Sequence, residues 1–381
     1  MPRPITATLD LLNLSSNLQH VRNRISSNTE LMAVVKANAY GHRLELVYPA
    51  LGGADSIALL DLAEAGLLRV MGWYRSILLL EGAFEFSDYA AIANLKLDFT
   101  LHNDEQFMSL KRFLSASPPL LESRVFVKIN TGMNRLGYTP ERGLAVMLEL
   151  MTLHHQEFIG PVVLMTHFAN SDVADPLGPS AIEQAAVLKQ MSSDIRERAA
   201  KAGLKSCNFI TSLANSAGAL YYGQEAGQIQ RIGIAAYGSS TSPVSAQKEG
   251  LKPVMRLATR LISIQHLKTG ERIGYGSRFL AEKPMRIGVA ACGYADGYPR
   301  HAPDGTPVLV NGVRARIAGR VSMDMITIDL TDVPTADIGS EVVLFGDEQL
   351  GVDEVAAVCG TIGYELLCAV SQRVRFSVVD R

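Results

Sequence analysis

Eight β-rich runs, at 31–37, 55–60, 76–81, 97–101, 124–130, 160–166, 208–212 and 228–234, alternate with segments of helical character along the first 240 residues. A strand that is followed each time by a helix comes back beside its predecessor in parallel, so an alternation this regular has few structural solutions. In one linking segment Ile182, Ala185, Ala186, Met191, Ile195 and Ala199 recur with a period near 3.6; the capping box Ser180-x-x-Glu183 opens it and Gly203 closes it. The pattern predicts a (β/α)8 TIM-type barrel, and a stretch of about 240 residues is close to the typical ~250 for that fold. A doubly wound parallel sheet gives a similar string, and periodicity alone leaves it open.

After Ser239-Ser240-Thr241-Ser242-Pro243 the texture changes. Short runs follow, at 259–265, 285–291, 307–310, 325–330 and 341–345, punctuated by Gly, Pro and Asp, with a helical pattern around 352–361 as a minor exception. This predicts a mainly β domain at 241–381 behind a barrel at 1–240, in keeping with a 381-residue chain too long for one core. The net charge of −2 gives no electrostatic footprint for nucleic acid, and no apolar run is long enough to span a bilayer. Small molecules are the expected partners. The first residues lack the apolar stretch of a signal peptide, and Cys207, Cys292, Cys359 and Cys368 show neither metal spacing nor a disulfide framework. A cytoplasmic protein with reduced thiols is expected, with no metal.

Barrel enzymes place their chemistry at the C-terminal ends of the strands. Lys36 closes the first run, Arg135 follows the fifth, His167 the sixth, Asn215 and Ser216 the seventh, and Arg231, Gly233 and Ile234 lie near the end of the eighth. Each has a dull explanation: Lys36 can snorkel to water, Arg135 can cap a turn, His167 can be a satisfied interior histidine, Ser216 a helix cap. All of them landing on one rim is much less probable by chance. Lys36 lies between Val35 and Ala37, where lost hydration favours the free amine that forms Schiff bases. Loops after the seventh and eighth barrel strands commonly bind phosphate, which suits Ser216 with Gly233 and Ile234.

The segment Met-Ala-Val-Val-Lys-Ala-Asn-Ala-Tyr-Gly-His at 32–42 resembles the signature of the alanine racemases. The resemblance continues through 131–137 (Thr-Gly-Met-Asn-Arg-Leu-Gly), 231–234, Tyr237-Gly238, 274–276 (Gly-Tyr-Gly), 293–297 (Gly-Tyr-Ala-Asp-Gly) and Met323-Asp324, covering nearly the whole chain in the family's order. It implies a homodimer dependent on pyridoxal 5'-phosphate, with a barrel, a β domain and an extreme N-terminal strand that often packs on the latter. It also implies interconversion of L- and D-alanine by two bases. Lys36 would carry the cofactor and serve one face of Cα, while Tyr275 would reach the other face from the partner subunit. Arg135 and the Met323 amide would bind the substrate carboxylate; Tyr40, Tyr364, Ser216, Gly233 and Ile234 the phosphate; Arg231 the ring nitrogen; and His167 would pack on the ring.

In the family Lys128 matches a lysine often held as a carbamate, and Tyr294 narrows the entrance. Two residues depart from the pattern: Arg43 stands where a glycine commonly follows the histidine, and Ser322 where a cysteine often precedes Met-Asp. The rival readings are a decarboxylase of the same fold, a racemase preferring serine, a non-catalytic pyridoxal phosphate carrier and a Schiff-base aldolase. Arg231 and the Gly-Tyr-Gly turn disfavour the first, and the second domain disfavours the carrier.

Overall fold

The computed structural model of the chain describes residues 3–117, 119–173, 176–204, 208–223, 226–241 and 246–379; Cys207, Ser242 and Pro243 fall outside them. The chain forms two compact units. One comprises Leu18–Lys36 and Gly52–Gly233, the other Met1–Asn17, Ala37–Leu51 and Ile234–Arg381.

With strands numbered along the chain, β1 (Thr6–Asp10) belongs to the second of these units. The first is built on β2 (Glu30–Val34), β3 (Ser56–Leu59), β4 (Ile77–Leu79), β5 (Asp98–Leu101), β6 (Val125–Lys128), β7 (Val162–Met165), β8 (Ile210–Ser212) and β9 (Ile229–Ile232). Each of β2 to β7 pairs in parallel with the next strand, and β9 pairs in parallel with β2. The ends of the sheet meet again where Gln228 N donates to Thr211 O at 2.8 Å and Arg231 N to Ala214 O at 3.1 Å. The result is the nearly closed eight-stranded barrel that the alternation predicts. Strands β3, β4, β5, β7 and β9 are buried at every residue, as parallel strands covered on both faces must be. Among the surrounding helices, Ala181–Lys201 begins with the anticipated capping box: Ser180 N donates to Glu183 at 2.8 Å, and Glu183 N donates to the Ser180 hydroxyl at 3.2 Å.

At the N-terminal ends of the strands Arg124 lies between two carboxylates. Its Nε donates to Asp98 at 2.8 Å, and its two Nη atoms donate to Glu30 at 2.6 and 3.0 Å. Asp98 is buried, so this pairing offsets a desolvation cost and belongs to the stability of the barrel floor.

The second unit adds β10 (Met255–Leu267), β11 (Arg272–Ile273), β12 (Phe279–Leu280), β13 (Met285–Ala290), β14 (Pro307–Val310), β15 (Val313–Ile317), β16 (Ile326–Asp329), β17 (Glu341–Phe345) and β18 (Arg375–Val379). Its sheet runs β13-β16-β15-β14-β17-β10, and β10 also pairs with β13, so those six strands close on themselves. The 13-residue β10 achieves this with register shifts between Leu257 and Ala258 and between Leu261 and Ser263. Such bulges bend a strand enough to serve two neighbours. The N-terminal β1 adds to the same sheet, antiparallel to β10 and parallel to β18. The helical pattern near 352–361 resolves into the helices Val352–Val358 and Gly363–Ala369.

Candidate active site

Strand β2 ends at Val34, two residues short of Lys36, although Val35 N still donates to Ala58 O at 2.8 Å. Beyond Lys36 the backbone turns left-handed. Ala37, Asn38, Ala39 and Tyr40 have φ of 54°, 53°, 55° and 53°, each costing about 1–2 kcal/mol for an L-residue. Strain of this kind persists only where its surroundings over-determine it, and it concentrates at functional sites. Arg43, which replaces the family's usual glycine, also has a positive φ of 66°, and its guanidinium lies 4.4 Å over the Phe376 ring.

Among the charged groups of the barrel rim Arg231 on β9 is buried, 4 % exposed. Its Nη1 donates to Ser212 Oγ at 2.5 Å; its Nη2 donates to Thr166 O at 2.7 Å and Leu213 O at 3.2 Å, and lies 3.2 Å from His167 Nδ1. A guanidinium only donates, so His167 Nδ1 accepts and the ring is neutral with its proton on Nε2. Burial pushes the Arg231 guanidinium down to about 10, which still leaves it charged at neutrality. Burial, followed by Arg231, Lys128, Arg135 and Lys36, holds the His167 imidazole well below its ordinary range. Lys128, at the end of β6, is pushed down to about 8, first by burial and then by Arg231 and Arg135. Lys36, Lys128, Arg135, His167 and Arg231 therefore act on one another across the mouth, as their placement at strand ends implies.

Ser216 opens the helix Ser216–Tyr222 behind β8, where Asn215 caps the helix by accepting from Gly218 N at 2.9 Å. The buried Ser216 hydroxyl accepts from Gly233 N, just past β9, at 3.0 Å. A hydroxyl and a backbone amide thus meet at the loops after the seventh and eighth barrel strands.

In the other unit Tyr40 is buried, its ring stacked on Tyr237 with centroids 4.8 Å apart, and Tyr364 lies 6.0 Å away. Burial, then Tyr364 and Cys368, push the Tyr40 phenol far above its usual value, so it is a hydrogen-bond donor at any working pH. Ile234 is buried at the start of the turn Ile234–Tyr237. Tyr275 and Met323 belong to the same unit as Tyr40. They are 69 % and 52 % exposed on their own unit. Gly274 and Gly276, with φ of 71° and 72°, form the turn that presents Tyr275.

Two separated motifs join into one piece here. Tyr294 N donates to Ser322 O and Ala295 N to Met323 O, both at 3.0 Å. Gly293 must be glycine, since a Cβ there would stand 2.3 Å from the carbonyl oxygens of Ser322 and Met323. Buried Asp296 pairs with Arg3 at 3.1 Å and Arg373 at 2.9 Å, and Arg373 also bridges to Asp324. Ser212 escaped the sequence reading and has no signal of its own, while His42 and Tyr237 stood in view within the family motifs but were given no role.

A barrel with an amine just beyond its first strand, a rim of cations around one buried arginine and a β domain presenting a tyrosine defines a class of two-domain barrel enzymes. Residues 9–241 match the family model described as alanine racemase, N-terminal domain, and residues 254–378 match alanine racemase, C-terminal domain. The chain is 48 % identical to an alanine racemase of Polaromonas naphthalenivorans over 99 % of its own length and 100 % of that relative. It is 47 % identical to one of Burkholderia mallei over 98 % and 99 %. Among solved structures, the biosynthetic alanine racemase of Pseudomonas aeruginosa matches with a TM-score of 0.88 and 41 % identity, covering 99 % of this chain and 100 % of that one. That of Acinetobacter baumannii matches at 0.87 and 34 %, with coverage of 99 % and 100 %. The chain belongs to the alanine racemase family.

Proposed function

We propose that this protein interconverts L- and D-alanine with pyridoxal 5'-phosphate as its cofactor, acting as a cytoplasmic homodimer. The observation that carries the reading is the excess of cations around the neutral His167. The Arg231 guanidinium donates to Ser212, Thr166 and Leu213 and faces His167, all uncharged, and acts on His167 together with Lys128, Arg135 and Lys36, so this buried positive charge suits an anion. A phosphate with a carboxylate substrate supplies that charge. Ser216, Gly233, Ile234, Tyr40 and Tyr364 would hold the phosphate, Lys36 the aldehyde carbon, Arg231 the ring nitrogen and His167 the ring face. When bound, pyridoxal phosphate supplies a conjugated system that delocalises the electron pair left on Cα as its proton departs.

Racemisation needs proton exchange on both faces of Cα, because a single base returning its own proton restores the original enantiomer. The Lys36 amine serves one face and the partner's Tyr275 the other: one takes the proton while the other delivers its own, and the roles swap in the reverse direction. The exposure of Tyr275 and Met323 suits groups offered to a second subunit. Arg135 and the partner's Met323 amide bind the substrate carboxylate, and Tyr294 narrows the approach. Arg231 would donate a hydrogen bond to the ring nitrogen without surrendering its proton, a setting that would favour return of the α-proton to Cα. The neutral amine of Lys128 adds carbon dioxide and releases a proton to solvent, forming a carbamate whose negative charge fixes the Arg135 guanidinium.

The test is a coupled assay on purified protein across a panel of L-amino acids. D-alanine should form from L-alanine, with serine slower, and the activity should require pyridoxal phosphate. Carbon dioxide release without D-amino acid would favour the decarboxylase reading instead. Among the described residues no helix is long and apolar enough to cross a membrane.

A further inference from the structure

The left-handed run from Ala37 to Tyr40 holds a single conformation with four successive positive φ values and no glycine within it. His42 sits at its end, 0 % exposed. Its Nδ1 lies 3.1 Å from Ala39 O and 3.0 Å from Tyr40 O, and its ring stands 4.7 Å from that of Tyr237, the ring on which Tyr40 stacks. Carbonyl oxygens only accept, so Nδ1 carries the proton and serves both. Nε2 is buried with no partner among the described residues, which is tolerable for a bare lone pair and costly for a second N–H. Burial lowers the proton affinity of His42 to about 4, so the ring is neutral and this single tautomer prevails at working pH. On the other side Gly41 packs its bare Cα against Leu367 O. The turn is thus gripped through the carbonyls of the two residues that set the direction of the Tyr40 side chain.

We propose that His42 is a positioning residue: by donating from Nδ1 to the Ala39 and Tyr40 carbonyls and packing its tilted ring against Tyr237, it holds the left-handed turn that aims the Tyr40 hydroxyl at the cofactor phosphate. The proposal rests on the assignment of Tyr40 to that phosphate. It differs from that assignment in requiring a second residue, touching neither cofactor nor substrate, to act through Tyr40 alone.

The experiment titrates apoprotein with pyridoxal phosphate and, separately, with pyridoxal, which lacks the phosphate. The variants are Tyr40→Phe, His42→Phe, the double variant and His42→Asn. Loss of one hydrogen bond to a charged group predicts about a tenfold weakening of pyridoxal phosphate binding in Tyr40→Phe. His42→Phe keeps an aromatic face but no donor; it should weaken pyridoxal phosphate by a similar factor, leave pyridoxal within about twofold and add nothing to Tyr40→Phe in the double variant. His42→Asn, whose side-chain amide can replace Nδ1–H, should recover most of the loss.

Undiminished pyridoxal phosphate binding in His42→Phe, a loss that adds in full to that of Tyr40→Phe, or equal weakening of pyridoxal overturns the role of His42. If Tyr40→Phe itself binds pyridoxal phosphate normally, the phosphate assignment fails and takes the proposal with it, an outcome distinct from the other three. Should His42→Phe not fold, the nitrogen-15 shifts of His42 in the wild-type apoprotein decide: a protonated Nδ1 is expected, and a protonated Nε2 overturns the proposal.

Discussion

Arg231 has its guanidinium committed to Ser212 Oγ, Thr166 O and Leu213 O before any ligand arrives, so it cannot swing away or be replaced by a smaller cation without orphaning those groups. Under the proposed mechanism its value lies in being unable to give up a proton. Arg231→Glu should therefore lower racemisation and raise the side reaction in which alanine becomes pyruvate, read as pyruvate formed per D-alanine formed; an unchanged ratio contradicts the role given to the arginine. The buried histidines supply a prediction on pH. The folded-state value of His42 lies at about 4, below its ordinary 6.5, so the unfolded chain takes up a proton first as pH falls. Its contribution is fully present above about 6.5 and is lost toward pH 4, amounting to about 3 kcal/mol over that window. His42→Asn should flatten the fall in melting temperature between pH 7 and 4.5 relative to wild type; parallel curves would show that His42 is not buried neutral. At this scale the sequence placed Lys36, Lys128, His167 and Arg231 at or near the ends of strands but did not reveal their partners. Nothing about Ser212, the last residue of β8, announces that it receives Arg231, because that contact depends on which strands the barrel closure makes neighbours.

Most of the barrel strands were legible because they are short apolar runs buried on both faces, and the helix Ala181–Lys201 because Ser180 and Glu183 cap it in the expected way. The end of β2 was not. The run at 31–37 reads as one strand, and only three-dimensional context turns Ala37 to Tyr40 left-handed against the preference of every residue in it. Gly41 is the element's tightest point: it has φ of 80°, and a Cβ would lie 2.2 Å from Leu367 O. Gly41→Ala should cost about 2 kcal/mol or more in stability, measured by denaturant melts, and an unaltered midpoint would refute the packing described. The closure of β10 onto both β13 and β17 was equally hidden, since two bulges in one strand leave no mark on hydrophobic periodicity. At the opposite end of the barrel, Arg124→Met leaves buried Asp98 without its partner and should cost about 3–5 kcal/mol. The cofactor-loaded variant should keep kcat/KM within about twofold of wild type, because that face carries stability and not chemistry. A large loss of kcat/KM in a folded Arg124→Met protein would contradict the separation of the two faces.

On the scale of the whole molecule, Lys36 belongs to the unit that holds Arg231 and Ser216, whereas Tyr275 stands exposed on the other unit in a glycine-flanked turn. Assigning Tyr275 to the partner's site depended on the family resemblance, because composition and periodicity carry no trace of a second subunit. The most direct measurement mixes two inactive homodimers. Lys36→Ala should lose both bound cofactor and turnover, and Tyr275→Phe should keep cofactor but lose proton exchange on one face. After verified subunit exchange, each heterodimer has one site with both residues intact and one with neither, so L-alanine racemisation should return to about one quarter of the wild-type rate for random mixing of equal amounts. If exchange is verified and no activity returns, the two bases do not come from different chains and the shared two-base site is wrong.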